Sequence, residues 1–339
     1  MSLHAARADF CLYPAAGAVP PPGSGFLLSN PPIVMALSLI VFAGFYPPAR
    51  RAIQYADILA EALAGRLVLL HVNRASLFDP NDLAAQGYRQ QELERQADTA
   101  AILYQQAKGL RTAAAVEVAT DLLPAVVKDL ASRYQPALFV LSQADEDRTA
   151  AADLVDSSAE ILRAGNYPLL VVSTTAPAQH PPRRILIAAD REPFGLAPEA
   201  LALRTLLALP GVQVMVAHVS SGVEDDEGCA LALRAVQASG LVDGLPTPEV
   251  RGYEHEHYDQ GLLAAVQDTR ADLVVVLARQ RSYLGDVFHR SVTARLLAQC
   301  PVPVLVVPAA TEIPVLESAD FARAAQYANT VLTGLSPAA

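Results

Sequence analysis

Hydrophobic and polar residues along this chain form blocks whose period switches repeatedly between two and 3.6. Residues 37–43, LSLIVFA, are a continuous apolar run of strand length. Residues 49–63 then show helical spacing through Ile53, Ala56, Leu59, Ala60 and Leu63. Pro47-Pro48 suits the opening turn of that helix, and Gly65 reads as the C′ residue that ends it. LVLLHV (67–72), AAVEVA (114–119), ALFVLS (137–142) and PLLVVS (168–173) read as further strands. The helices between them are expected over 82–108, from a Thr120-Asp121 cap to 133, and near 156–164. The same order returns with RILIAAD (184–190), VQVMVAHV (212–219), PEVRGY (248–253), DLVVVLA (272–278) and PVLVV (303–307). Its helices are expected over 197–208, 225–239, 259–269 and onward from Ser291. Strands that alternate with helices and are apolar throughout indicate parallel sheets covered on both faces.

The return is a repeat of sequence as well as of pattern. RLVLLHV (66–72) is echoed by VQVMVAHV, and DSSAEILRAGNYPLLVV (156–172) by RSVTARLLAQCPVPVLVV (290–307). His71 and His218 lie 147 positions apart, and Ser157 and Ser291 lie 134 apart. Solenoid units span only about 20–50 residues, so a period this long implies two homologous domains. They are placed at 36–173 and 184–308, with a proline-rich, semi-rigid linker at 174–183. Residues 1–35 are expected to be a disordered tail, and 309–339 a C-terminal tail with one helix over 318–332.

Composition narrows the function. The 339 residues are 52% hydrophobic and 18% charged, below the roughly 25% charged of an average soluble domain, which fits buried sheets. A net charge of −10 argues against a nucleic-acid partner. Cys11, Cys229 and Cys300 are widely spaced and form no CxxC pair, which fits a reducing, cytoplasmic setting. The apolar stretch 33–46 has fourteen positions, short of the about 20 that a membrane-spanning helix needs, so no membrane role is expected.

A five-strand, four-helix unit ending in Ser-Val-x-x-x-Leu and Pro-Val-Leu-Val-Val resembles the universal stress protein family, with His-Val closing the second strand in both copies. The resemblance covers about 36–173 and 184–308 and implies a tandem of two doubly wound, mostly parallel five-stranded α/β sheets of the adenine nucleotide alpha hydrolase-like type. Family members pair through their last strands, so the two copies are expected to pair within one chain as an internal pseudo-dimer. A homodimer and unidentified protein partners remain open.

Nucleotide-binding members of the family carry Gly-x-x-Gly, nine residues, then Gly-Ser or Gly-Thr, because glycine lets backbone N–H groups approach phosphate at a helix N-terminus. Aligned on Ser291, those positions hold Leu277, Gln280 and Arg290; aligned on Ser157, they hold Gln143, Glu146 and Asp156. The first copy's loop, Gln143-Ala144-Asp145-Glu146-Asp147, is acidic and would repel a triphosphate. The second offers Arg279, Arg281, His289 and Arg290 ahead of Ser291, a candidate N-cap, with Asp190 at the end of its first strand and Val219 closing its second. Asp190 faces Gly44 or Ala43 in the first copy. These seven residues are the candidate nucleotide or anion site; solvated arginines paired with acidic neighbours are the competing reading.

Elsewhere, Tyr253-Glu254-His255-Glu256-His257-Tyr258-Asp259 is the one cluster with metal-like spacing: alternate residues of an extended segment share a face, so His255 and His257 are weak ligand candidates. There is no Gly-x-Ser-x-Gly elbow and no Walker-type loop, so catalysis is not expected. His71 and His218 read as hydrogen-bonded structural histidines. The expected function is that of a stress-response protein acting by binding, as a scaffold without cofactor; the alternative is a regulator that binds ATP or another adenine nucleotide in the second domain only.

Overall fold

The computed structural model describes residues 36–44, 47–73, 85–143, 148–221, 225–279 and 291–310. The expected terminal tails, the helix over 318–332, Arg281, His289 and Arg290 lie outside the described residues.

The chain begins with β1 (Ser38–Phe42), α1 (Pro47–Ala62), β2 (Arg66–Val72), α2 (Ala85–Lys108), β3 (Ala114–Ala119), α3 (Leu123–Arg133), β4 (Ala137–Ser142), α4 (Arg148–Gly165) and β5 (Leu169–Val172). It continues with β6 (Arg184–Ala188), β7 (Gly195–Leu196), α5 (Pro198–Leu201), α6 (Arg204–Leu207), β8 (Gln213–Ser220) and α7 (Asp226–Ala238). The last elements are β9 (Glu249–Glu254), α8 (Tyr258–Thr269), β10 (Leu273–Arg279), α9 (Val292–Gln299) and β11 (Val304–Ala310).

All eleven strands join one sheet, ordered β3-β2-β1-β4-β5-β11-β10-β6-β8-β9, with β7 paired on β11. Within each half the neighbours along this order are parallel, and only the two-residue β7 runs antiparallel to β11. The halves meet where β5 and β11 run antiparallel, Leu170 facing Leu305. This is an α/β fold with a mostly parallel sheet. Because side chains alternate across a strand, Leu39 and Val41 enter the core under α1, α2, α5, α6 and α7, while Ile40 enters the core under α3, α4, α8 and α9. Each core holds residues from both halves.

Several local details differ from the sequence reading. Ala64, not Gly65, takes the left-handed conformation after α1 (φ 48°). Gly65 N–H returns to the Ala60 carbonyl at 2.8 Å, closing a Schellman motif, and a Cβ on Gly65 would stand 2.6 Å from the Leu37 carbonyl oxygen. The residue is glycine for close approach, not for its dihedral. The N-cap of α3 is Leu122, without a side-chain cap, and the Asp121 carboxylate accepts the adjacent Leu122 N–H. Helix α4 starts at Arg148, a full eight residues before the expected 156. The helix expected over 197–208 is broken into two four-residue pieces, and β7 stands where α1 has its first turn in the other half.

The linker is fastened down. Arg51 donates to the Ala176 carbonyl at 2.8 Å, and Ala176 is fully buried. Ser173 and Thr175 hydroxyls both donate to the Pro301 carbonyl, at 2.8 and 2.7 Å. These bonds tie the segment to α1 of the first half and to Pro301 of the second. No helix among the described residues is long and apolar enough to cross a membrane.

Candidate functional site

Leu277 lies beside Val307 and Ser142 beside Val172, and both neighbours stand two residues past the central pair Leu305–Leu170. The strand register therefore matches Leu277 to Ser142 and Gln143 to Ala278, one residue away from the sequence alignment. Gln143 is buried, and its amide donates to the Leu297 and Cys300 carbonyls at 3.2 and 3.3 Å. The residue that the sequence aligns with the first glycine of the motif thus clasps the second half.

The second half opens a cleft of about 810 Å³ at the C-terminal ends of β6, β8 and β10. There the connections after β6 and β10 leave in opposite directions, the crevice where open α/β sheets take ligands. Val276, Leu277, Leu262 and Leu296 give it an apolar wall, Tyr258 stands half-exposed at its side, and Asp190, Arg191, Glu192, His218 and Asp225 supply charge and polarity.

The candidate residues do not all converge. Asp190 and Val219 line the cleft. Ser291 caps α9, its Oγ accepting the Ala294 N–H at 3.1 Å, so that Val292 and Thr293 of the first turn face the cleft. Arg279 is spent elsewhere. It grips Asp190 through two nitrogens, at 2.5 and 3.2 Å, and also donates to the Glu192 and Pro193 carbonyls at 2.8 and 3.2 Å. These bonds hold the strap from Asp190 to Leu196 across the end of β10, where Gly195 and Leu196 pair with Ala310 and Ala309. For Arg279 the pairing reading applies rather than that of a cation open to a ligand.

His255 and His257 lie past the end of β9, so the extended alternation that would align them ends first. His255 Nδ1 accepts the His257 N–H at 3.2 Å, and among the described residues no group of three metal-ligating side chains forms.

His71 and His218 make the same bond in each half: Nδ1 lies 3.2 Å from the carbonyl of Ala43 and of Ala189, the residue after the first strand. This pairing matches Asp190 to Gly44 rather than Ala43. His218 is buried, and its Nε2 lies 3.1 Å from Asp225 Oδ2. Asp225 is the N-cap of α7, where its Oδ1 accepts the Gly228 N–H at 2.8 Å, and its Oδ2 also meets Arg191 at 2.6 Å. The Gly228 N–H bond holds the Asp225 carboxyl below its usual range, against partial desolvation and aided by His218 and Arg191. Asp225 and Arg191 were missed from sequence. The Asp225-Asp226-Glu227 run before an apolar helix is a readable cap signal, but nothing in the sequence ties it to Arg191, 34 positions earlier.

The universal stress protein family model matches residues 140–308, from within β4 through β11. The solved structure of a universal stress protein from Archaeoglobus fulgidus has a TM-score of 0.59 and 16% identity, covering 79% of this chain and 97% of that one. A functionally unknown protein from Pseudomonas aeruginosa gives a TM-score of 0.48 at 16% identity, covering 87% of this chain and 96% of that one. No curated protein matches. At such identity the archaeal likeness concerns the fold, while the family match rests on sequence: residues 140–308 of this chain form a domain of the universal stress protein family.

Proposed function

We propose that the chain is a stress-response protein that works by reversibly binding a small anionic ligand in the cleft of its second half, without catalysis. The observation that carries this reading is the cleft itself, whose volume lies in the range of small-molecule sites, roughly 300–1,000 Å³. Its apolar wall and Tyr258 suit a planar ring. An adenine nucleotide is the first ligand to test. The scaffold reading expected from the lost glycines fits the first half better, where Gln143 serves packing.

In the same reading, residues 36–173 are a second, non-binding copy of the domain. The repeated strand order and the paired His71 and His218 bonds support this. The β5–β11 junction then gives a single chain the arrangement of a domain dimer and covers two strand edges.

Calorimetric titration of nucleotide-stripped full-length chain with ATP and ADP, with and without Mg²⁺, tests the proposal. One site per chain is the expected result. Absence of heat together with an unchanged thermal midpoint would return the second half to the scaffold reading.

A further inference from the structure

The cleft holds a cation that the family resemblance does not suggest. Arg191 follows Asp190 on the strap, lines the cleft, and is more than half exposed at its side chain. Its one partner among the described residues is Asp225 Oδ2, at 2.6 Å, across the cleft mouth on the cap of α7. A guanidinium has five N–H donors in a fixed planar fork. One terminal nitrogen is paired with Asp225; the rest of the fork has no protein partner among the described residues.

The carboxylate that holds it is itself satisfied from behind. Asp225 takes the Gly228 N–H, faces His218 Nε2, and sits at the positive end of a thirteen-residue helix. His218 in turn is set by the Ala189 carbonyl. The Gly228 N–H and His218 fix the carboxylate in place, so Asp225 orients Arg191 and leaves the outward N–H donors of the guanidinium facing the cleft. The other acidic groups at this mouth, Asp190 and Glu192, are engaged by Arg279. In the first half Phe45 occupies the position of Arg191 in the sequence, so the guanidinium belongs to the second half alone.

We infer that Arg191 is the anion receptor of the cleft, pre-oriented by Asp225 and His218, and that it takes a phosphate or carboxylate group of the ligand in place of the absent glycine loop. This rests on the ligand-binding reading above. A guanidinium already held at one nitrogen loses less freedom when its remaining donors pair with a planar or tetrahedral oxyanion, which favours a bidentate contact. Asp225 is a positioning residue in this scheme and touches no ligand.

The test is calorimetry on the full chain with ATP and with adenosine, for wild type, Arg191→Gln and Arg191→Lys. Arg191→Gln is expected to weaken ATP about ten- to a hundredfold and leave adenosine unchanged, with Arg191→Lys in between. Arg191 is a surface residue, so an unchanged thermal midpoint will show the variants folded. ATP binding equal in wild type and Arg191→Gln overturns the inference and leaves the ligand-binding reading standing. An equal loss of ATP and adenosine also overturns it, because the arginine would then shape the cleft and not read charge. A wild type that binds neither probe overturns both.

Discussion

At Gly228 a methyl group has no room. A Cβ there would stand 2.0 Å from Asp225 Oδ2 and 2.6 Å from His218 Nε2. Gly228→Ala is expected to cost roughly 1–3 kcal/mol through overpacking, outweighing the gain of about 1 kcal/mol in helix propensity. Urea denaturation measures the cost, and the displaced Asp225 should release Arg191 with its charge intact. Asp225 also ties stability to pH. Its folded carboxyl titrates below the ordinary value of 3.8, so its contribution is fully present above that pH and is lost as pH falls through the lower folded value. Asp225→Asn should therefore differ most from wild type above pH about 4, and the gap in urea midpoints should close on acidification. A gap that stays constant with pH would mean that the carboxylate is not held by these donors.

The elements that decide the architecture are β5 and β11. Both are apolar, Leu169–Val172 and residues 304–309 are buried, and each turns a last-strand edge toward the other. Gln143 closes the same junction from β4, bonding the end of α9 and the turn beyond it. Gln143→Ala would leave the Leu297 and Cys300 carbonyls without this donor, at an expected cost of about 1–3 kcal/mol in equilibrium denaturation. At the other end of α9, Ser291→Ala removes a cap and should cost about 1 kcal/mol. The strap is an element-scale change too. Where the first half continues into α1, the second half unwinds its corresponding turn into β7 and restarts the helix at Pro198, which leaves Asp190 and Arg191 outside any helix, at a bend beside the cleft.

For the whole molecule, the shared cores predict cooperative unfolding. Each core takes residues from both halves, so neither half can expose its apolar surface without opening the other. Far-UV circular dichroism and tyrosine fluorescence, the latter undisturbed because the chain has no tryptophan, should give coincident transitions. Two separated transitions would mean that the β5–β11 junction joins independently stable domains.

The sequence alone determined the strands, because each is an apolar run of the right length bounded by a change of period. Every expected strand starts within a residue of its place, the last runs three residues longer than expected, and only the two-residue β7 was not foreseen. It also determined the Ser291 cap, a local bond between a side chain and a backbone group three residues on. What it left open were features set by groups distant along the chain. Gly65 looks like a dihedral signal until Leu37 is brought beside it, and Arg279 looks like a free cation until the strap brings Asp190 to it. Gln143 looks like a lost phosphate loop until Leu297 and Cys300 lie across the junction. The row from Ala189 to Arg191 assembles only when the ends of β6, β8 and α7 meet at one edge of the cleft. Local periodicity carries the elements because burial acts on each segment alone; the site needed the tertiary structure because its bonds join segments that only the folded sheet makes neighbours.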